Sequence, residues 1–334
     1  MPIVLFLLLT VLLPLTAVTP QHPMVPLIVP QDFEIDEIYY HLKQEDTEEI
    51  MRLAIQRREM LKTREEALKK QNEGILRVGI LGNSALNYTK EGFNPEALRQ
   101  LFEEMLAEGP EAVFFIGPFI PPGVSGEAFY DQIKKALGNI PFYPTPDSKE
   151  IVEKFKLPVS ENFPQGYSVV LKNTLFALFS QAEDSQEQFI TWLQDTLQKH
   201  DGKYRFLLGP KAAYSTQATE GNFSGLDQRT QFRNQAWNLL RKDNVLAYFA
   251  SNEILYDRSY RAGVWQFLTG GAGATRTYAV KDDTFYHFIL LTIPQDGNSP
   301  LVEMFDIRGR KRDSLLLNPQ APAISQFRIS VTKN

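Results

Sequence analysis

The chain has 334 residues, 43% of them hydrophobic, which is enough to bury a large core as one α/β domain or two smaller ones. A net charge of −5 argues against a dedicated nucleic-acid binder, whose surface is usually basic. With no cysteine, disulfides, thiolate metal sites and a cysteine nucleophile are excluded.

Residues 1–19, "MPIVLFLLLTVLLPLTAVT", carry no charged side chain, and the first Asp, Glu, Lys or Arg is Asp32. Such a run reads as an export signal. Its lack of Lys or Arg, and Pro20 directly after the small-residue cleavage point at Thr19, keep a second reading open. Roughly 18 apolar residues can span a bilayer, so the segment also reads as an uncleaved membrane tether. Pro20, Pro23, Pro26 and Pro30 make residues 20–31 an extended linker that excludes a helix. Residues 32–73 read as a charged helical extension. Asp46 and Glu49 fit a capping pattern, and Ile50, Leu53, Ala54, Leu61 and Leu68 give a partial apolar stripe. That helix, residues 46–72, either packs on the main domain or meets a partner. Asn87 and Asn222 open glycosylation sequons, meaningful in a eukaryotic host.

From residue 74 to 334 the pattern becomes strand, loop, helix. "RVGILGNSA" is a strand entering a loop, and "NPEALRQLFEEMLAEGP" is an amphipathic helix ended by Gly109-Pro110. "EAVFFIGPFIPPG" and "IPFYPTPDSKE" are further strand-to-loop passages, and "TLFALFSQ" is another strand. In "DSQEQFITWLQDTLQKH", Phe189, Trp192, Leu193 and Leu197 mark one helical face. "YRFLLGPKAAYS", "NVLAYFASNE" and "VWQFLTGGAGA" are strands ending in loops, and "FYHFILLTI" and "LVEMFDIRGRKRDSLLL" are antiparallel strands. Alternating strands and helices predict an α/β sheet domain with ligands beyond the strands' carboxyl ends. "RGRKR", Arg308 to Arg312, reads as a solvated hairpin turn, with a contact to anionic lipid or polyanion as the alternative. No P-loop and no Gly-x-Ser-x-Gly elbow is present.

Taken in order, the strand-end loops resemble the calcineurin-like metallophosphoesterase family, and in particular its small purple acid phosphatase branch, over roughly residues 76 to 310. That family activates water and clamps a phosphoryl group with two metal ions about 3.5 Å apart. The resemblance implies an α/β fold of two stacked β-sheets flanked by helices, here with the N-terminal helical extension added. It also implies a place for each metal ligand. "ILGNSA" puts Asn83 where the first aspartate belongs, and the bridging aspartate of Gly-Asp appears as Pro118 after Gly117. A tyrosine ligand three residues on is replaced by Pro121. "PDSKE" matches Pro-Gly-Asn-His-Glu in frame, so Ser148 stands for the asparagine and Lys149 for the histidine. "GPKAAYS" matches Gly-His-His-Pro-x-Tyr-Ser with Pro210 and Lys211 at the histidines. "SNEILYDR" matches Gly-His-x-His-x-Tyr-Glu-Arg, with Ser251 at the glycine and Asn252 and Ile254 at the histidines.

The turn and packing letters are kept while the ligand letters are not. Proline and isoleucine side chains have no donor atom and lysine is cationic at neutral pH. Asn83, Ser148 and Asn252 keep oxygens, but neutral oxygens alone do not hold two multivalent cations together. Of the four histidines, His22, His41, His200 and His287, none falls in a predicted site loop. No cofactor is therefore expected, and Asn83, Pro118, Ser148, Lys149, Pro210, Lys211, Asn252 and Ile254 are expected to line at most a residual pocket. Were the loops to converge as in the family, Lys149 or Lys211 would be placed to pair with Glu253 or Asp147 across the cleft.

Two functional classes follow. The first is a catalytically inactive binding or scaffold protein, exported or membrane-anchored, whose ligand is a protein partner or a small anion. The second is a diverged metal-dependent phosphatase or phosphodiesterase acting on phosphate esters.

Overall fold

The structure, a computed structural model, describes residues 72–83, 93–117, 120, 125–180, 185–216, 225–274, 286–318 and 326–330, together with residue 66. The expected leader (1–19), linker (20–31), almost all of the helical extension (32–73), both sequons, Pro118 and Pro121 lie outside the described residues.

Thirteen strands among these residues form two sheets. In the first, Ile75–Gly82 (β1) lies between β10 (His287–Pro294), antiparallel to it, and β2 (Ala112–Ile116), parallel to it. The sheet is completed by β3 (Phe142–Pro144) beyond β2, and by β11 (Leu301–Asp306) and β12 (Lys311–Leu316) beyond β10. The second sheet runs β13 (Gln326–Ser330), β8 (Tyr256–Arg261), β9 (Val264–Thr269), β7 (Ala247–Ala250), β6 (Tyr204–Gly209), β5 (Thr174–Phe179), β4 (Gly166–Leu171). Strands β5, β6, β7 and β9 are mutually parallel, which the alternating strand-helix order requires.

Central strands such as β2, "AVFFI", are apolar at every position because both faces are covered. One face meets the other sheet: Phe114 of β2 stacks on Phe176 of β5 at 4.5 Å between ring centres. The outer face of the first sheet receives α1 (Pro95–Ala107) and α2 (Gly126–Leu137). Asn94 caps α1 by accepting from the Ala97 amide at 3.1 Å, and Leu98, Leu101, Phe102 and Met105 form its buried stripe. A side chain at Gly79 of β1 would place its β-carbon 2.3 Å from Met105 Sδ, so glycine there makes room for the methionine of α1 against β1. The short α3 (Lys149–Phe155) follows β3. A second apolar cluster lies under α4 (Gln186–Gln198) and α5 (Thr230–Lys242) on the outer face of the second sheet. The face read from sequence, Phe189, Trp192, Leu193 and Leu197, is the buried face of α4. The fold is thus four layers, with helices outside two stacked sheets.

Polar links tie the sheets together at both edges. Tyr167 of β4 donates its hydroxyl to the Pro144 carbonyl of β3 at 2.7 Å. At the other edge Tyr256 of β8 donates to Asp313 Oδ2 of β12 at 2.7 Å. Arg258 Nε lies 3.1 Å from the same oxygen, an ion-pair distance without the alignment of a hydrogen bond. Burial, reinforced by the Asp313 charge, pushes the Tyr256 hydroxyl well above its ordinary range and keeps it a donor. In the hairpin between β11 and β12, Asp306 accepts from the Arg308 and Arg310 amides and from the Nε of Arg310 and of Arg312. Lys311 pairs with Glu303 at 2.9 Å. Three of the four cations in "RGRKR" are therefore engaged within the protein, which favours the hairpin reading of that stretch.

Candidate functional site

The carboxyl ends of β1, β2, β7 and β9 meet around Ser251, which is fully buried. A β-carbon on Gly82 would lie 2.6 Å from Ser251 Cβ and 2.4 Å from the Thr269 carbonyl oxygen. On Gly117, whose φ of +83° already disfavours a side chain, a β-carbon would lie 2.4 Å from Ser251 Oγ. Glycine at 82 and 117 is what lets these strand ends close on the serine. Among the described residues the Ser251 hydroxyl has no hydrogen-bond partner.

Asn83 follows β1 in the left-handed region, φ +60°, a conformation asparagine tolerates better than most residues. It is buried; its amide donates to the Ile116 carbonyl at 2.9 Å, and its carbonyl accepts from Ala274 at 3.4 Å. Asn83 therefore stitches the end of β2 to the glycine-rich segment after β9.

Asn252 and Ser251 join the loop after β7 to the loop after β6. Asn252 Oδ1 accepts from the Ala212 amide at 2.7 Å, and the Ser251 amide donates to the Pro210 carbonyl at 3.3 Å. The Lys211 carbonyl accepts from the Tyr248 hydroxyl. Pro210, Lys211, Asn252 and Ile254 are all half-buried along this seam. Between them Glu253 is fully buried, and its carboxylate accepts from the Thr216 amide and hydroxyl.

Ser148 and Lys149 stand at the start of α3 and are exposed. Ser148 is the N-cap, its Oγ accepting from the Ile151 amide at 3.2 Å. The Lys149 ammonium lies 3.6 Å from Glu153 of its own helix, an exposed pair of small energetic weight. This loop is fastened to the floor by Thr145, whose Oγ1 accepts from the Gly117 amide at 3.0 Å. Surrounding protein pushes the Asp147 carboxyl up to about 8, against the Thr145 hydrogen bond that lowers it. The residue is nonetheless exposed, so water screens much of that effect.

These donor atoms do not fit a two-metal centre. Ser148 Oγ and Asn252 Oδ1 already accept from backbone amides, Asn83 offers only a neutral amide, and Lys149, Pro210, Lys211 and Ile254 offer hydrocarbon or ammonium. Among the described residues no three His, Asp or Glu side chains gather as a metal set. His287 opens β10 next to the floor, its amide donating to Gly271 at 3.3 Å and its ring edge-on to Tyr256 at 5.6 Å. His200 precedes β6 at the end remote from the site, and burial and then Arg205 lower its pKa.

Several contributors escaped sequence reasoning. Thr145, Tyr248, Thr216 and Asp313 fall in no motif. Each acts on a residue 28 to 57 positions away, a distance no local pattern reports.

Compared with solved structures, the chain is similar to the purple acid phosphatase PPD1 from yellow lupin (Lupinus luteus) seeds, with a TM-score of 0.56 at 16% identity. That match covers 72% of this chain and 53% of the other, so this chain spans about half the length of the lupin protein. It is also similar to GAP50, the anchor in the inner membrane complex of Plasmodium, with a TM-score of 0.53 at 11% identity, over 75% of this chain and 90% of that one. The fold is that of the metallophosphoesterases. No protein-family model and no curated protein matches the chain. On the metallophosphoesterase-like fold, the seam described above lies where the strands' carboxyl ends present ligands.

Proposed function

We propose that this chain is a non-catalytic binding or scaffold protein built on the metallophosphoesterase fold. One observation carries the reading: the oxygens that survive at ligand-equivalent positions 148 and 252 hold backbone amides in place, as a helix cap and as a loop-to-loop tie. Ser251, at the position of a family glycine, fills the junction of Gly82 and Gly117 with its own side chain. The fold is compatible with such a role, since the similar GAP50 is described as an anchor.

In this reading residues 1–19 export or tether the chain, 20–31 space it, 32–73 extend it, and 74–334 form the folded domain. The positions Asn83, Pro118, Ser148, Lys149, Pro210, Lys211, Asn252 and Ile254 line the altered cleft without taking part in hydrolysis. Metal analysis of the purified protein beside a phosphomonoesterase and phosphodiesterase assay tests the proposal. Substoichiometric metal and no turnover above the uncatalysed rate are expected. Stoichiometric iron, zinc or manganese with metal-dependent hydrolysis would establish the diverged enzyme instead.

A further inference from the structure

At the base of the domain, away from the strand-end seam, the loop leading from α4 into β6 clamps one sheet to the other. Lys203 Nζ donates to the Gly297 carbonyl, and Tyr204, at the start of β6, donates its hydroxyl to the Asn298 carbonyl. Both acceptors belong to the turn between β10 and β11 of the first sheet. Asp296 holds that turn by accepting from the Asn298 amide at 2.9 Å and from its side-chain amide at 2.6 Å. On the other side of the clamp, Arg205 Nη2 donates to the His200 carbonyl at 2.6 Å, which closes residues 200–205 on themselves. The His200 ring is packed against Gly202. A β-carbon there would lie 2.2 Å from His200 Nε2 and 2.6 Å from the Asn173 carbonyl oxygen of the β4–β5 turn.

His200 Nε2 is shut off from water and has no hydrogen-bond partner among the described residues. A neutral ring tolerates that place, whereas an imidazolium carries a second charged N–H that the closed loop leaves unmet. Burial first and Arg205 second hold the ring's pKa below its ordinary 6.5, against the weaker pull of Asp201. Lys199 and Lys203 add two cations to the same loop, and Lys172 of the β4–β5 turn is engaged on Glu111 at 2.8 Å. The surroundings of the ring are therefore built for its uncharged form.

We propose that His200 is an acid-operated latch: neutral, it keeps the loop closed on the β10–β11 turn, and protonated, it moves out into water and releases Gly297 and Asn298. With the loop open the imidazole regains a pKa of about 6.5, above that of the closed form, so the open form binds the proton more tightly. The closed form is accordingly favoured most above about pH 6.5. It is weakened as pH falls from there through the closed-form value, and no further below it.

The test is peptide-resolved hydrogen exchange on the whole protein at a series of pH values. Exchange at the imidazole Cε1 reads the titration of His200 apart from that of His22, His41 and His287. Amide exchange, corrected for its intrinsic pH dependence, reads the opening of residues 199–205 and 295–299. His200 is expected to titrate below 6.5, and both segments to exchange at least about twofold faster near pH 5 than near pH 7.5. In His200→Leu that acid-induced difference is expected to vanish. Asp201→Asn, at an exposed position, removes a charge that favours the imidazolium and is expected to enlarge it. That surface variant keeps the test intact if His200→Leu fails to fold. A His200 that titrates at or above 6.5, segments that stay closed in acid, or opening that persists in His200→Leu overturns the proposal. Neither readout involves the strand-end seam, so the outcome is independent of the non-catalytic reading.

Discussion

Asn252 Oδ1 accepts the Ala212 amide at 2.7 Å across 40 residues of sequence, and this bond holds the loop after β6 against the loop after β7. Asn252→Ala leaves that part-buried amide without its acceptor and is expected to destabilise the fold by about 1–2 kcal/mol, measured by urea unfolding. Asn252→His restores the family's letter, yet among the described residues no group of three His, Asp or Glu side chains gathers to share a metal. Metal content of that variant is expected to match the parent's.

Gly117 and Ser251 are coupled through space. Gly117→Ala is expected to cost about 1–3 kcal/mol from its positive φ alone, plus the collision with Ser251 Oγ. Adding Ser251→Gly removes the collision but not the backbone strain. A thermal-unfolding cycle is therefore expected to show the double variant losing less than the sum of the single ones, by more than about 0.5 kcal/mol. Simple additivity would mean that the two residues do not touch.

Arg258 and Asp313 tie the sheets at one edge with both side chains about nine-tenths buried. Asp313→Ala strands the guanidinium and is expected to cost about 3–5 kcal/mol. Replacing both, as Arg258→Met with Asp313→Leu, is expected to recover only part of that loss, because the buried charge goes with its partner while the Tyr256 hydroxyl still lacks its acceptor. Chemical denaturation of the three variants decides it.

Asp306 sets an acid limit. Burial raises its pKa, but hydrogen bonds from Arg312 and Arg310 and from the Arg308 and Arg310 amides outweigh it, holding the carboxyl below 3.8. The folded pKa lies under the unfolded one, so its stabilising contribution is complete above about pH 4 and is lost as pH falls through the folded value. Asp306→Asn is expected to lower stability at neutral pH and to flatten the acid limb of a melting-temperature profile.

Asp147 works in the opposite sense. Its folded pKa is raised from 3.8 to about 8, so ionising it opposes folding, and its contribution declines as pH rises across that interval. Asp147→Asn is expected to make the protein slightly more stable at pH 9 than the parent and no more stable at pH 4. Because the side chain is exposed, the gain is expected to be much smaller than the shift implies. Melting temperatures at the two pH values check the sign.

The fold was legible where sequence and burial share a period. The four apolar residues of α4 repeat at helical spacing and all are buried, and Gly109-Pro110 follow α1 closely. The helices α2 and α5 drew no such expectation. α2 follows a Pro/Gly-rich run, and the buried Phe232, Ala236, Trp237 and Leu240 of α5 are diluted by polar residues. At the site, spacing placed Asn83, Ser148 and Asn252 at strand and loop ends, where they are found. What each oxygen does depends on partners brought close by folding. Lys149 shows the limit: its carboxylate partner is Glu153, one helical turn away, and not an acid across the cleft.

Residues Gln326–Ser330 leave the first sheet behind and close the far edge of the second by pairing with Asp257–Arg261. A chain shortened before Gln326 would leave β8 with a row of unpaired amides and carbonyls facing water. Such a bare margin templates the stacking of one molecule on the next. A chain truncated before Gln326 should consequently lose solubility sooner than it loses the hydrophobic interior.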